Sequence, residues 1–185
     1  MARTPSTMVP LGTQAPGFRL PDTVSGTALS WDDVKGPNGT LVAFICNHCP
    51  FVKHVNPELV RISNDFRQKG LHVVAISSND ATQYPDDGPG PMRENAQALG
   101  YRFPYLYDES QEVAKDFDAA CTPDFFLFDG EEKLVYRGQL DASRPGNDVP
   151  LTGQDMRRAM TALLEERAVD EMQYPSIGCN IKWRS

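Results

Sequence analysis

The chain has 185 residues, 40% hydrophobic and 23% charged, proportions that suit one soluble globular domain able to bury a core without disulfide staples. A formal charge of −7 with no Lys/Arg cluster argues against nucleic acid as a partner, and the longest apolar run, residues 41–46, is too short to span a bilayer. The prolines of the opening MARTPSTMVP are wrong for a secretory leader, so a cytoplasmic location is expected, with the four cysteines as reduced thiols available for chemistry.

Residues 1–11 read as a loose lead-in. Between Ala15 and Trp31, turns at Pro21-Asp22 and Ser25-Gly26 separate short extended segments. Residues 41–46 (LVAFIC) are continuously apolar after a Gly/Asn loop, which predicts a fully buried strand. Phe51, Val52, Val55, Leu59, Ile62 and Phe66 then mark one face of a helix that Pro57 should kink and Gly70 should close. Residues 71–77 (LHVVAIS) predict a second buried strand, parallel to the first. The Pro/Gly-rich stretch 79–91 is expected to be a long exposed loop. Short helices follow over 92–99 and 111–117, then a hairpin of strands 124–128 and 133–137 about Asp129-Gly130. A last helix begins near Thr152, with Met156, Ala159, Met160, Leu163 and Leu164 as its buried stripe. Residues 173–185 form a tail, and nothing divides the chain into more than one domain, 1–185.

The chemically loaded segment is Cys46-Asn47-His48-Cys49-Pro50, where the first buried strand hands over to the helix. A thiol at a helix start meets unpaired N–H groups and the positive end of the macrodipole, which favour the thiolate nucleophile. Cys46 is therefore expected to be the exposed attacker, and Cys49, one turn on, the resolving thiol. A protonated His48 would further stabilise the Cys46 thiolate. The pair is also half of a zinc site, but there is no second pair to complete it; a site using Cys46, Cys49 and a histidine is the remaining metal alternative. The expectation is no metal and no cofactor.

Three features together carry a resemblance. They are the strand–CxxC–helix–strand order, Thr122-Pro123 ahead of the strand DFFLF, and the opening Gly12-Thr13-Gln14-Ala15-Pro16-Gly17-Phe18-Arg19-Leu20, which follows G-x-x-A-P-x-F-x-L. The chain resembles the thioredoxin-fold superfamily in its redoxin branch, which holds thiol–disulfide oxidoreductases and AhpC/TSA-type peroxiredoxins. The resemblance implies an α/β, thioredoxin-like fold with a central mixed sheet and helices on both faces. It implies a cis Pro123 facing the cysteines, and Thr122 pairing with an extended substrate segment. It implies an enzyme exchanging disulfides with protein or small-molecule thiols; the charge and the short apolar run leave no membrane or nucleic-acid partner expected. The alternative is a thiol peroxidase with Cys46 as peroxidatic cysteine and peroxide as substrate.

The sequence departs from those relatives at several positions. Ile45 and Asn47-His48 replace the Trp and Gly-Pro of thioredoxin, and LVAFI holds no buried acid. Ala43 stands where peroxiredoxins carry threonine. Asp124 and Arg137 read as solvated, Asn47 as a turn former, and Cys121 and Cys179 as buried accessory thiols. Residues 178–183 fit no mechanism.

Overall fold

A computed structural model describes residues 3–185. Strand β1 (Arg3–Pro5) is followed by the paired strands β2 (Arg19–Pro21) and β3 (Ala28–Ser30), and by the short helix α1 (Trp31–Val34). Next come β4 (Gly39–Phe44), α2 (Pro50–Arg67) and β5 (Leu71–Ser77), then a 3-10 turn (Pro85–Asp87), α3 (Pro89–Leu99) and β6 (Tyr105–Tyr107). The chain ends with α4 (Glu112–Asp116), β7 (Cys121–Thr122), β8 (Asp124–Asp129), β9 (Leu134–Arg137), α5 (Gln154–Leu164) and β10 (Ile177–Asn180).

The central sheet has the order β6-β5-β4-β8-β9. Strands β4, β5 and β6 run parallel, β8 runs antiparallel to β4, and β9 antiparallel to β8, so the sheet is mixed as expected. Every residue of β4 is buried because side chains alternate between two covered faces. Leu41 and Ala43 join α2, α3 and α5 in one core, through residues such as Leu59, Met92 and Met156. Val42 and Phe44 join α1 and α4 in the other, through Trp31 and Phe117. A strand buried on both faces favours apolar residues at successive positions, which explains the unbroken run over 41–44 of β4.

Three expectations about the chain's ends and loops are corrected. Residues 3–5 are not loose: β1 pairs antiparallel with β10, which pairs in turn with β7, making a second sheet. Residues 1 and 2 of the expected lead-in lie outside the described residues. The expected tail therefore carries the middle strand of that sheet. The stretch 79–91 is exposed over 82–86 and 89–91 as expected, but it is not loop throughout. Pro85 and Pro89 stand in the first turns of helical segments, where a missing N–H has no partner to lose, and Asn79, Asp80 and Asp87 are buried. Helix α2 runs continuously through Pro57.

Candidate active site

The end of β4 sets the position of the cysteines. Ile45 extends the ladder by donating its N–H to the Ile76 carbonyl at 2.9 Å, and the chain then turns into α2. The helix begins at Pro50 with Cys49 as its N-cap residue, so the helix start belongs to Cys49 and not, as expected, to Cys46. Nor is Cys46 exposed: it is 1% accessible and Cys49 is 0%. Both sulfurs lie against one residue. Cys46 Sγ is 3.4 Å from Thr122 Oγ1, and Cys49 Sγ is 3.2 Å from the Thr122 carbonyl oxygen. The Thr122–Pro123 peptide is cis.

The two thiols divide one proton between them unequally. The Cys46 S–H donates to Cys49, and the Cys179 thiol and the backbone N–H groups of Val52 and Cys179 add to it, so that against the opposing effect of burial the Cys49 pKa falls to about 5. A protonated Cys49 donates instead to the Thr122 carbonyl at 3.2 Å. The hydrogen bond to Cys49 pushes the Cys46 pKa up, as do burial and the negative charge of Asp87. Within the pair the hydrogen bond favours the charge on Cys49 and the proton on Cys46.

Asp87 is the acid that the sequence did not reveal. It is fully buried, and its carboxylate accepts from the N–H groups of Asn47 (2.8 Å) and His48 (3.3 Å) and from Asn79 Nδ2 (2.8 Å). Its second oxygen is also 2.5 Å from His48 Nδ1. His48 keeps 21% of its side chain accessible and stacks on Tyr84, with ring centroids 5.3 Å apart. Asn47 does more than form a turn. Its Nδ2 donates to the Asp86 carbonyl, and its Oδ1 accepts from Asn95 and from the Tyr105 hydroxyl, tying the CxxC loop to α3 and β6. Cys46, His48 and Asp87 bring one ligand atom each within 4.8 Å of one another, a set different from the Cys46, Cys49 and histidine considered from sequence. The Asp87 oxygens are already committed to the loop amides, to Asn79 and to His48, so this geometry serves to hold the loop.

The remaining sequence candidates fall on both sides of expectation. Thr122 stands opposite Cys179 of β10 in an antiparallel pair, and β7 is the edge strand of that sheet. Cys179 Sγ lies 3.0 Å from Cys49 Sγ, which places the unassigned residues 178–183 at the site. Cys121 is buried with its thiol 3.6 Å from the Pro123 carbonyl, and burial pushes its pKa up. Asp124 and Arg137 are not solvated: both are fully buried and paired, with the guanidinium 3.8 Å from the centroid of the Phe126 ring. His54 is hydrogen-bonded to Ser143 at 2.8 Å, away from the sulfurs. No helix among the described residues is long and apolar enough to cross a membrane.

A family model described as AhpC/TSA matches residues 11–137, which takes in both cysteines of the motif, Thr122 and Pro123. The chain belongs to the AhpC/TSA family. Its fold is that of the thioredoxin-like members, and its sequence is similar to two solved structures over nearly its whole length. One is an uncharacterized conserved protein from Geobacillus kaustophilus, 59% identical, covering 100% of this chain and 97% of that one with a TM-score of 0.98. The other is a hypothetical protein from Sinorhizobium meliloti, 48% identical, covering 98% and 99% with a TM-score of 0.96. The thioredoxin domain of a thiol-disulfide oxidoreductase from Bacteroides vulgatus shares the fold at 22% identity, covering 81% and 98% with a TM-score of 0.61. No curated protein matches the chain.

Proposed function

We propose that this AhpC/TSA family member is a thiol–disulfide oxidoreductase in which Cys46 and Cys49 cycle between dithiol and disulfide. The observation that supports this most is the contact of both sulfurs with each other and with Thr122 at the start of α2. Cys46 Sγ lies within 4.8 Å of a ring nitrogen of the partly open His48, whereas Cys49 is in contact with Cys179 of β10. Cys46 therefore passes its proton to Cys49 and attacks a substrate disulfide, forming a mixed disulfide and releasing one substrate thiolate, which takes that proton. Cys49, a thiolate again, attacks Cys46 and forms the intramolecular disulfide, releasing the second substrate half as a thiolate that takes its proton from water. A protein or small-molecule disulfide is the substrate, and a cellular thiol reductant restores the dithiol. The test is reduction of a protein disulfide such as that of insulin by the reduced enzyme. Cys46→Ser should abolish turnover, and Cys49→Ser should arrest the reaction at the mixed disulfide. Full turnover by Cys46→Ser removes the assignment.

One observation favours a second reading, peroxide reduction. The Thr122 hydroxyl lies 3.4 Å from Cys46, so a hydroxyl is present at the sulfur although Ala43 supplies none. Arg137, the arginine considered from sequence, is committed to Asp124. Cys46 thus has a hydroxyl beside it but no arginine hydrogen-bonded to it, which supports disulfide exchange as the faster reaction.

A further inference from the structure

The two-cysteine cycle leaves a third sulfur unexplained. Cys49 is the partner shared by Cys46 on one side and Cys179 on the other. Backbone pairing builds the second contact. Cys179 stands opposite Thr122 in the β10–β7 register, and Arg3 of β1 faces it from the other edge. The preceding residue, Gly178, makes the approach possible: a Cβ there would fall 2.0 Å from the Thr122 carbonyl oxygen. A side chain at 178 would force β10 away from β7 and carry Cys179 away from Cys49.

We propose that Cys179 is a third redox-active thiol, which exchanges with the Cys46–Cys49 disulfide to leave a Cys49–Cys179 disulfide and a reduced Cys46. This rests on the dithiol reading above and extends it. In the step, the Cys179 thiolate attacks Cys49 Sγ. The Cys49–Cys179 bond forms as the Cys46–Cys49 bond breaks, the electron pair of the broken bond stays on Cys46, and the proton lost by Cys179 ends there. One disulfide replaces another, so no external oxidant or reductant is consumed. In the reduced protein burial holds the Cys179 pKa at about 12, reinforced by its hydrogen bond to Cys49 and by the negative charge there. Oxidation of Cys49 removes that charge and that acceptor, which frees the Cys179 proton when exchange requires it. The outcome is a disulfide stored against β10, with Cys46 restored on the His48 side.

The experiment adds oxidised glutathione to the reduced protein, quenches samples with acid over time, alkylates them and maps disulfides by mass spectrometry. Wild type should show the Cys46–Cys49 bridge first and then a rising Cys49–Cys179 bridge, with alkylated Cys46 appearing in step. Cys121→Ser should behave as wild type, and Cys179→Ser should stop at Cys46–Cys49. A wild-type protein in which Cys46–Cys49 remains the only bridge at every time overturns the relay and leaves the dithiol cycle standing. A Cys179→Ser protein that never forms Cys46–Cys49 overturns the dithiol cycle, and the relay with it.

Discussion

Asp87 and Cys49 set the charge balance at the cysteines from opposite sides. Because the negative charge of Asp87 raises the Cys46 pKa, Asp87→Asn should lower it and make the disulfide more oxidising. The same substitution turns an amide toward Asn79 Nδ2 and should cost about 1–3 kcal/mol of stability. His48→Ala should act oppositely: Asp87 loses its ring partner, its charge bears more fully on Cys46, and the potential becomes more negative. Equilibration with a glutathione buffer measures both shifts, and an unchanged potential in His48→Ala would reduce that ring to a lid over Asp87. Thiolate absorbance in the reduced protein should rise with a half-point at about 5, and this rise should vanish in Cys49→Ser. A first half-point near the ordinary 9.0 contradicts the assignment of the charge to Cys49. The linkage has a definite sign. A thiol lowered from 9.0 to about 5 on folding adds stability that is complete above 9.0 and is lost as pH falls toward 5. The cysteine pair was legible in the sequence because its spacing is local. Asp87 was not: it lies 39 positions from His48, within a stretch whose prolines read as breakers although two of them start helical segments.

At the scale of elements, β10 decides whether the site is complete. Gly178→Ala places a methyl group on the Thr122 carbonyl, so the β7–β10 pairing must open. The expected cost is about 1–3 kcal/mol, read as a lower denaturant midpoint, together with slower formation of any bridge to Cys179. An unchanged midpoint would mean that β10 tolerates displacement and that the close approach does not matter. The sequence displayed β4, α2 and β5 because each is long and patterned by its own burial. It concealed β1, β7 and β10, which have two to four residues and exist only through partners far along the chain. Residues 178–183 made no sense alone because their meaning lies in the register with Thr122.

Over the whole molecule, the parallel β4–α2–β5 unit and the β8–β9 hairpin followed from apolar runs and helical stripes, while the mixed sheet with helices on both faces followed from the resemblance to the redoxin branch. The buried Asp124–Arg137 pair between β8 and β9 was not legible, since charged residues flanking a hairpin read as solvated. Removing one partner leaves the other charge uncompensated in the core: Arg137→Met should cost about 3–5 kcal/mol in urea unfolding, and adding Asp124→Leu should recover much of that loss. A small effect of Arg137→Met would mean that water reaches Asp124. The central claim, that the cysteine pair is built for disulfide exchange, is tested most directly by stopped-flow oxidation of the fully reduced protein with hydrogen peroxide and, separately, with a small disulfide. Oxidation by the disulfide should be rapid, and the peroxide rate close to that of an ordinary low-pKa thiolate. Peroxide oxidising Cys46 orders of magnitude faster than it oxidises a small thiolate, with sluggish exchange, would contradict that claim and assign the site to peroxide reduction.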